Sequence, residues 1–378
     1  MRKRNLLIGA AALASAVLVL SGCAPSSSTS AGSTSVASSA EATAPTDSTE
    51  GYDITKLCGT DPIKVALLDG AGGHTWRNIN LEEAKVEAAK CPNVTLSYAD
   101  AGGDASKMNS NIQGFVAQGY NVILDIADFG TAELPALRAA TKAGVTTIVY
   151  YNALEGTPGV DYTENVTLDS EGMGEAQGAW IAANAKPGNV VVLGGPATCS
   201  SCQALYDGVA KALAGNSKFT VLGDGKVTAT DYDPTKAQQA VAGLLASSGN
   251  ITAVAGDYGV IADDALKAFA AAGAPAPVLA TANGQNSQYC DWATSNAAGT
   301  GYPFASWEGG LTVVKVALRA GLADYNKIDD PEPKVILLNK LIDTQAGVNP
   351  PACDTTLPDD ADMFSGLTPA QIKEAVKG

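Results

Sequence analysis

The sequence is short of several things that enzyme and nucleic-acid chemistry commonly need. It has one histidine, His74, in 378 residues, too few for most zinc sites and for a charge relay that uses a second imidazole. Basic residues are scarce, 24 against 39 acidic ones, for a formal charge of -15. Such a surface repels phosphate backbones and argues against nucleic acid as a partner. No Walker A segment, no Gly-x-Ser-x-Gly and no His-Glu-x-x-His occurs, which removes a P-loop ATPase, a nucleophile elbow and a zincin centre. The longest apolar run, Leu6 to Leu20, is about fifteen residues, short of the roughly 20 that a membrane span needs.

That run follows Met1-Arg2-Lys3-Arg4, and a basic start before a short apolar stretch is the pattern of a secretory signal. It closes with Leu20-Ser21-Gly22-Cys23, which resembles the lipobox of bacterial lipoproteins. The expectation is that residues 1–22 are removed and Cys23 carries a lipid that anchors an exported body to the membrane. Residues 23–50 are mostly Ser, Thr, Ala, Pro and Gly, cannot bury enough area to offset chain entropy, and read as a flexible tether.

Seven cysteines is an odd count, and the lipid on Cys23 accounts for the odd one. An even set in an exported chain reads as disulfides. Six cysteines allow fifteen pairings; position along the chain favours Cys58–Cys91, Cys199–Cys202 and Cys290–Cys353. For Cys199-Ser200-Ser201-Cys202 a redox or metal role stays open beside the structural bridge.

From residue 62 short apolar strands alternate with helices. Ile63 to Leu68, Val94 to Tyr98, Val122 to Ile126 and Thr147 to Tyr151 read as strands, with helices over 78–90, 105–118 and 132–143 between them. The pattern restarts with a helix at 172–185 and strands at 190–193, 219–222, 252–255 and 277–280, separated by helices at 202–213, 234–247 and 262–272. A last helix is expected at about 369–376. Such alternation implies parallel sheets covered on both faces. Two successive sets suggest two doubly wound lobes, with a single (β/α)8 barrel as the alternative. In sheets of this type ligands bind beyond the carboxyl ends of the strands.

After the first strand comes Asp69-Gly70-Ala71-Gly72-Gly73-His74-Thr75-Trp76-Arg77. The third glycine of a dinucleotide fingerprint would fall at Thr75, so that reading fails, and no cofactor or metal is expected. Trp76-Arg77 sets a flat apolar face beside a forked donor. Sugars use that combination, because their C–H faces stack on aromatics and their hydroxyls take charge-assisted hydrogen bonds.

On these residues, on Gly114 to Ile123 leading toward Asp128, and on Thr167-Leu168-Asp169, the body over roughly 60–345 resembles the type I periplasmic binding proteins. The resemblance is to the sugar-binding group that includes ribose- and galactofuranose-binding proteins. It implies an α/β architecture of two doubly wound, Rossmann-like parallel-sheet lobes joined by three crossover strands, near Leu168, Pro303 and Lys340. The lobes would be 51–167 plus 304–339, and 168–303 plus 340–378. It also implies ligand contacts from His74, Trp76, Arg77, Asp128, Tyr151, Asn152, Tyr232, Asp257, Tyr258, Asn283 and Tyr302. Asn283-Gly284 stands where the family commonly has Asp-Gly, and Asn152 where an Arg often follows an Asp. The implied function is capture of a small polar ligand, a sugar, by a monomer that closes by hinge bending and delivers it to an ABC permease with a separate ATPase. A sensory receptor of the same fold is one alternative; an extracellular carbohydrate-active enzyme with paired carboxylates is another.

Overall fold

Short runs rich in Val, Ile and Leu form two mainly parallel sheets in this computed structural model, which describes residues 48, 49 and 51–377. The expected signal peptide, Cys23 and nearly all of the tether lie outside the described residues. In chain order the first elements are β1 (Ile63–Asp69), α1 (Thr75–Ala88), β2 (Val94–Asp100), α2 (Ala105–Ala117), β3 (Val122–Asp125), α3 (Leu134–Lys142), β4 (Thr146–Tyr151) and β5 (Glu164–Leu168). A second series follows: α4 (Ser170–Asn184), β6 (Gly188–Gly194), α5 (Ser200–Leu213), β7 (Phe219–Val221), β8 (Thr228–Ala229), α6 (Pro234–Ser248), β9 (Ile251–Gly256), α7 (Gly259–Ala272), β10 (Val278–Ala282), α8 (Asn286–Ala297) and β11 (Phe304–Trp307). The chain ends with α9 (Val313–Asn326), β12 (Val335–Ile336), β13 (Lys340–Asp343) and α10 (Pro369–Ala375).

The first sheet has the order β12-β5-β4-β3-β1-β2 and the second β13-β11-β10-β9-β6-β7, with β8 also pairing β6. All of these pairs are parallel except β11 with β13. Val65 lies opposite Leu96 on one side and Val122 on the other, so β1 is apolar at the middle of its register. All four residues of β3 are buried, as a sheet covered on both faces requires. Helices α1 and α9 pack together on one side of the first sheet, and α2 packs with α3. In the second sheet α4 packs with α5, and α7 packs between α6 and α8. Strand order reverses between β1 and β3 in one sheet and between β6 and β9 in the other, and such reversals open the crevices where ligands bind.

The three crossings do not all fall where the sequence suggests. The first lies after β5 at Leu168–Asp169, and the third between β12 and β13. The second does not occur at Pro303. β11 runs parallel to β10, from Leu279↔Phe304 to Ala282↔Trp307, so residues 304–307 belong to the second sheet and the chain crosses after Trp307. Glu308-Gly309-Gly310 makes the turn; a Cβ on Gly309 would strike Asn283 Oδ1, so a side chain there would push the crossing off the end of β10.

Helices α8 and α9 are not foreseen from the sequence. α9 buries ten of its fourteen residues, so no amphipathic stripe marks it. Its Arg319 is fully buried, donating to Glu332 through Nε (2.7 Å) and Nη2, to Glu87 on α1 (2.8 Å) and to the Thr49 carbonyl (3.0 Å). The segment 340–378 also differs from expectation, because it serves both lobes. Asn286 on α8 donates to the Asp354 carbonyl at 2.8 Å and accepts from the Asp354 amide at 3.0 Å. Beyond that point α10 packs on α1, and Leu357, Ala361, Leu367 and Ile372 share a core with Ile79 and Leu311. The cysteines pair as Cys58–Cys91, Cys199–Cys202 and Cys290–Cys353. No helix among the described residues is long and apolar enough to cross a membrane.

Candidate functional site

In the first lobe the carboxyl ends of β1 and β3 carry Asp69 and Asp128, and the first turn of α1 carries Trp76 and Arg77. The Arg77 guanidinium bridges the two acids, with Nη2 2.9 Å from Asp128 Oδ1 and Nη1 3.3 Å from Asp69 Oδ1. Burial opposes its charge, but the two carboxylates outweigh burial and hold it protonated. Burial pushes the Asp69 carboxyl up, with Arg77 opposing. Nη1 is buried and holds only the longer, poorly aligned contact with Asp69. Asp128 also accepts from the Gly70 amide at 2.9 Å, and Asp100 accepts from Gly72 (2.9 Å) and Gly102 (2.7 Å). Carboxylates thus fix the loop as well as the cation.

Behind Asp128 lies a second acidic pair, Asp125 and Glu133. Ala127 donates to Asp125 and Phe129 donates to Glu133 at 2.7 Å, which sets the loop between them. Burial, then the neighbouring Asp125 charge, pushes the Glu133 carboxyl up.

Trp76 stacks under Arg77 (guanidinium carbon 5.2 Å from the ring centre), meets Tyr151 edge-on at 5.0 Å, and donates from Nε1 to the Gly309 carbonyl at 3.2 Å. The ring therefore joins the first lobe to the second crossing. Tyr151 ends β4 at a φ of 69°, in the left-handed region that costs a residue with a Cβ on the order of 1 kcal/mol or more. Its neighbour Asn152 donates to the Ile126 carbonyl at 3.1 Å, bracing the loop after β3. His74 is exposed at the head of α1.

The second lobe is built differently. Tyr232 (φ 54°) lies on Gly195 at the end of β6; a Cβ on Gly195 would enter the ring. The Tyr232 hydroxyl donates to Asp257 Oδ2 at 2.9 Å, and its ring meets Tyr258 edge-on at 5.4 Å. Burial pushes the Asp257 carboxyl up to about 6, with the Tyr232 hydrogen bond opposing, and pushes the Tyr258 phenol up to about 12. Asn283, buried at φ 59°, donates from its amide to the Trp307 carbonyl at 3.0 Å. Its Oδ1 is buried without a partner among the described residues.

The two sets of strand ends face each other. Tyr151 at the end of β4, Asp257 just after β9 and Ser201 in the first turn of α5 line a cavity of about 20 Å³, closed behind by Leu168, Gly309 and Leu338, one residue from each crossing. That volume holds about one water molecule, so admitting a monosaccharide requires the lobes to part. Glu308 ties the back of the cleft by accepting from the Ser48 and Asn339 amides at 2.8 and 3.0 Å.

Of the eleven residues singled out from the sequence, Tyr151 and Asp257 line this cavity, and eight others stand on the strand-end loops described above or on the helix starts that follow them. Tyr302 does not. It precedes β11 at the amino end of the sheet, is buried against α8, and lends its carbonyl to Trp292 Nε1 at 3.2 Å. The misplaced crossing is the reason: with β11 in the second sheet, Tyr302 is a strand's length from the hinge. Sequence reasoning did not place Asp69, the Asp125–Glu133 pair or the Glu308-Gly309 turn at the site, nor Cys199–Cys202. Two of these had a signal: Asp69 closes the first strand, and Cys-x-x-Cys follows a strand and opens a helix. Cys199, Cys202 and Asp257 bring their ligand-type atoms within 4.8 Å of one another, but the sulfurs are bonded to each other and offer no thiolate.

Residues 65–313 match the family described as the periplasmic binding protein domain. No curated protein matches the sequence. Among solved structures the chain is similar to a galactofuranose binding protein, at 22% identity and a TM-score of 0.59 over 74% of this chain and 93% of that one. It is similar to the periplasmic binding protein component of an arabinose ABC transporter from Shewanella, bound to α- and β-L-arabinofuranose (17%, 0.61, 75% and 92%). It is similar also to an ABC transporter solute binding protein from Mycobacterium smegmatis with bound glycerol (20%, 0.63, 77% and 98%). At such identities the likeness speaks to the fold of two lobes. The family match, however, runs from within β1 to the first residue of α9, and this chain belongs to the periplasmic binding protein domain family.

Proposed function

We propose that the chain captures a small, uncharged, polyhydroxylated ligand, a sugar, between its lobes and presents it to the permease of an ABC transporter, with ATP hydrolysed on a separate subunit. The family is one of binding proteins rather than enzymes, and a solute-binding role outside the cytoplasm goes with it. The observation that carries the reading is the cavity shared by Tyr151 and Asp257, strand-end residues of opposite sheets, with all three crossings behind it. A ligand held there touches both lobes, and only such a ligand stabilises closure. The charge balance selects its class. Arg77 is already bridged by Asp69 and Asp128, and Asp257 adds a carboxyl from the other side, so an anion would meet net negative charge. Sugar hydroxyls donate to carboxylates, accept from Arg77, and lay C–H faces on Trp76, Tyr151 and Tyr232. Similar folds that carry arabinofuranose or glycerol, or are named for galactofuranose, support a neutral polyol. Lipidation of Cys23 and cleavage after Gly22 would keep the body near its permease.

Titration calorimetry with pentoses, hexoses, cyclitols and sugar acids tests this. The expected result is tight binding of one or a few neutral sugars, weakened at least about tenfold by Trp76→Ala and by Asn283→Ala (roughly 1.4 kcal/mol) without unfolding. Preference for sugar acids, or full affinity in both variants, would overturn it.

A further inference from the structure

The three disulfides do not share one environment. Cys58–Cys91 is buried in the first lobe and Cys290–Cys353 pins the C-terminal segment to α8. Cys199–Cys202 lies at the head of α5 beside Asp257, which lines the cleft cavity, and its two sulfurs are unequal. Cys199 is half-buried at the N-cap of α5, a helix of 14 residues, and its Sγ accepts from the Cys202 amide at 3.1 Å. Cys202 is fully buried; its Sγ accepts from the Gly195 amide at 3.4 Å and lies 3.1 Å from Asp257 Oδ2 and 3.4 Å from the Tyr232 hydroxyl. A disulfide sulfur carries no hydrogen, so any proton in the short contact with Asp257 belongs to the carboxyl. The other oxygen, Asp257 Oδ1, is buried and unpartnered among the described residues. One half-buried sulfur at a helix N-terminus, one buried sulfur and one half-buried acid against the buried sulfur make a set suited to thiol–disulfide exchange.

We propose that Cys199–Cys202 is a redox-active disulfide that exchanges with low-molecular-weight thiols reaching the cleft, with Asp257 carrying the proton of Cys202. A thiolate RS⁻ attacks Cys199 Sγ, forming an R–S–S–Cys199 mixed disulfide as the Cys199–Cys202 bond breaks. The electron pair leaves on Cys202 Sγ, which takes the proton from Asp257 and becomes a thiol, and Asp257 becomes a carboxylate. A second thiolate attacks the R sulfur of the mixed disulfide, releasing RSSR and leaving Cys199 as a thiolate at the head of α5. Two thiols are oxidised and one protein disulfide is reduced. Burial, which pushes Asp257 up to about 6, keeps part of the population protonated near neutrality. The proposal goes beyond solute binding and does not depend on which ligand the cleft takes.

The test uses the mature protein with free cysteine at neutral pH, quenched at intervals by alkylation, with all three pairs followed by peptide mass. Cys199–Cys202 is expected to open at least roughly tenfold faster than the other two pairs, and the trapped mixed disulfide should sit on Cys199. Asp257→Asn should slow that opening several-fold while the rates of the other two pairs hold, which also reports that the variant is folded. Equal or slower opening of Cys199–Cys202 overturns the proposal, as does capture of cysteine on Cys202, independently of any variant. An unchanged rate in a folded Asp257→Asn protein removes the proton-carrying role.

Discussion

The two lobes reach the cleft with the same strand order but hold their loops by different means. In the first, carboxylates do the bracing: Asp69, Asp100, Asp125, Asp128 and Glu133 receive backbone N–H groups or Arg77. In the second, the loops are held by close approach and strain: Tyr232 lies on Gly195, Asp231, Tyr232 and Asn283 adopt positive φ, and a three-residue disulfide closes the start of α5. The difference teaches how binding is divided. A carboxylate-braced face is preorganised before a ligand arrives, at the cost of buried charge. A face resting on aromatic contact and strained backbone responds to small changes of shape and to its disulfide.

Breaking the first lobe's bracing should produce the largest effect. Arg319→Met strips Glu332 of its buried cation and leaves Glu87 with Lys90 alone, and stability should fall by about 3 kcal/mol, read as a drop in thermal midpoint. A loss below about 1 kcal/mol would mean the charge network is not what holds α9 to α1. In the second lobe the counterpart is Gly195→Ala. Its Cβ would displace the Tyr232 ring, so sugar affinity should fall about tenfold, near 1.4 kcal/mol, with little loss of stability; calorimetry alongside thermal melts separates the two.

A subtler contrast is the pH dependence of the acidic pair. The Glu133 carboxyl is raised in the folded protein. Its contribution is therefore fully present below the ordinary glutamate range and is lost as pH rises through the raised value. Glu133→Gln copies the protonated form. It should flatten the fall in stability on the alkaline side and gain about 1 kcal/mol at pH 8, measured by denaturant unfolding across pH. A wild-type stability that rises with pH over that range would contradict the assignment. The smallest effect should come from Tyr302→Phe. Its buried hydroxyl lacks a hydrogen-bond partner among the described residues, so removal should leave both ligand affinity and stability nearly unchanged, in contrast to the loss expected at Trp76.

Much of this was legible in the linear chain. Strands from β1 to β4, and β6, β7, β9 and β10, stand out because runs such as Ile63 to Leu68 and Val190 to Leu193 are buried on both faces. Tyr151 and Asp257-Tyr258 could be placed near the strand ends because they close or directly follow strands, and Trp76-Arg77 because they open the helix after the first strand's loop. α9 was not legible, since a helix buried nearly all round shows no period. Nor was the state of Arg77: it reads as a free cation in the sequence, and only the approach of β1 to β3 sets Asp69 and Asp128 on either side of it.

What the sequence by itself determined is therefore the alternation of strands and helices, the acidic balance, the even set of six body cysteines and the residues that follow each strand. These depend on local composition and spacing, which a chain carries wherever it folds. The tertiary structure alone decided on which side of the hinge residues 304–307 lie, that Tyr302 is remote from the cleft, that the C-terminal segment serves both lobes, and that Cys202 meets Asp257. Each depends on pairing between segments far apart in the chain, such as Leu279 with Phe304 or Asn286 with Asp354. Such pairings are selected by the packing of the whole body, and no window of neighbouring residues contains them.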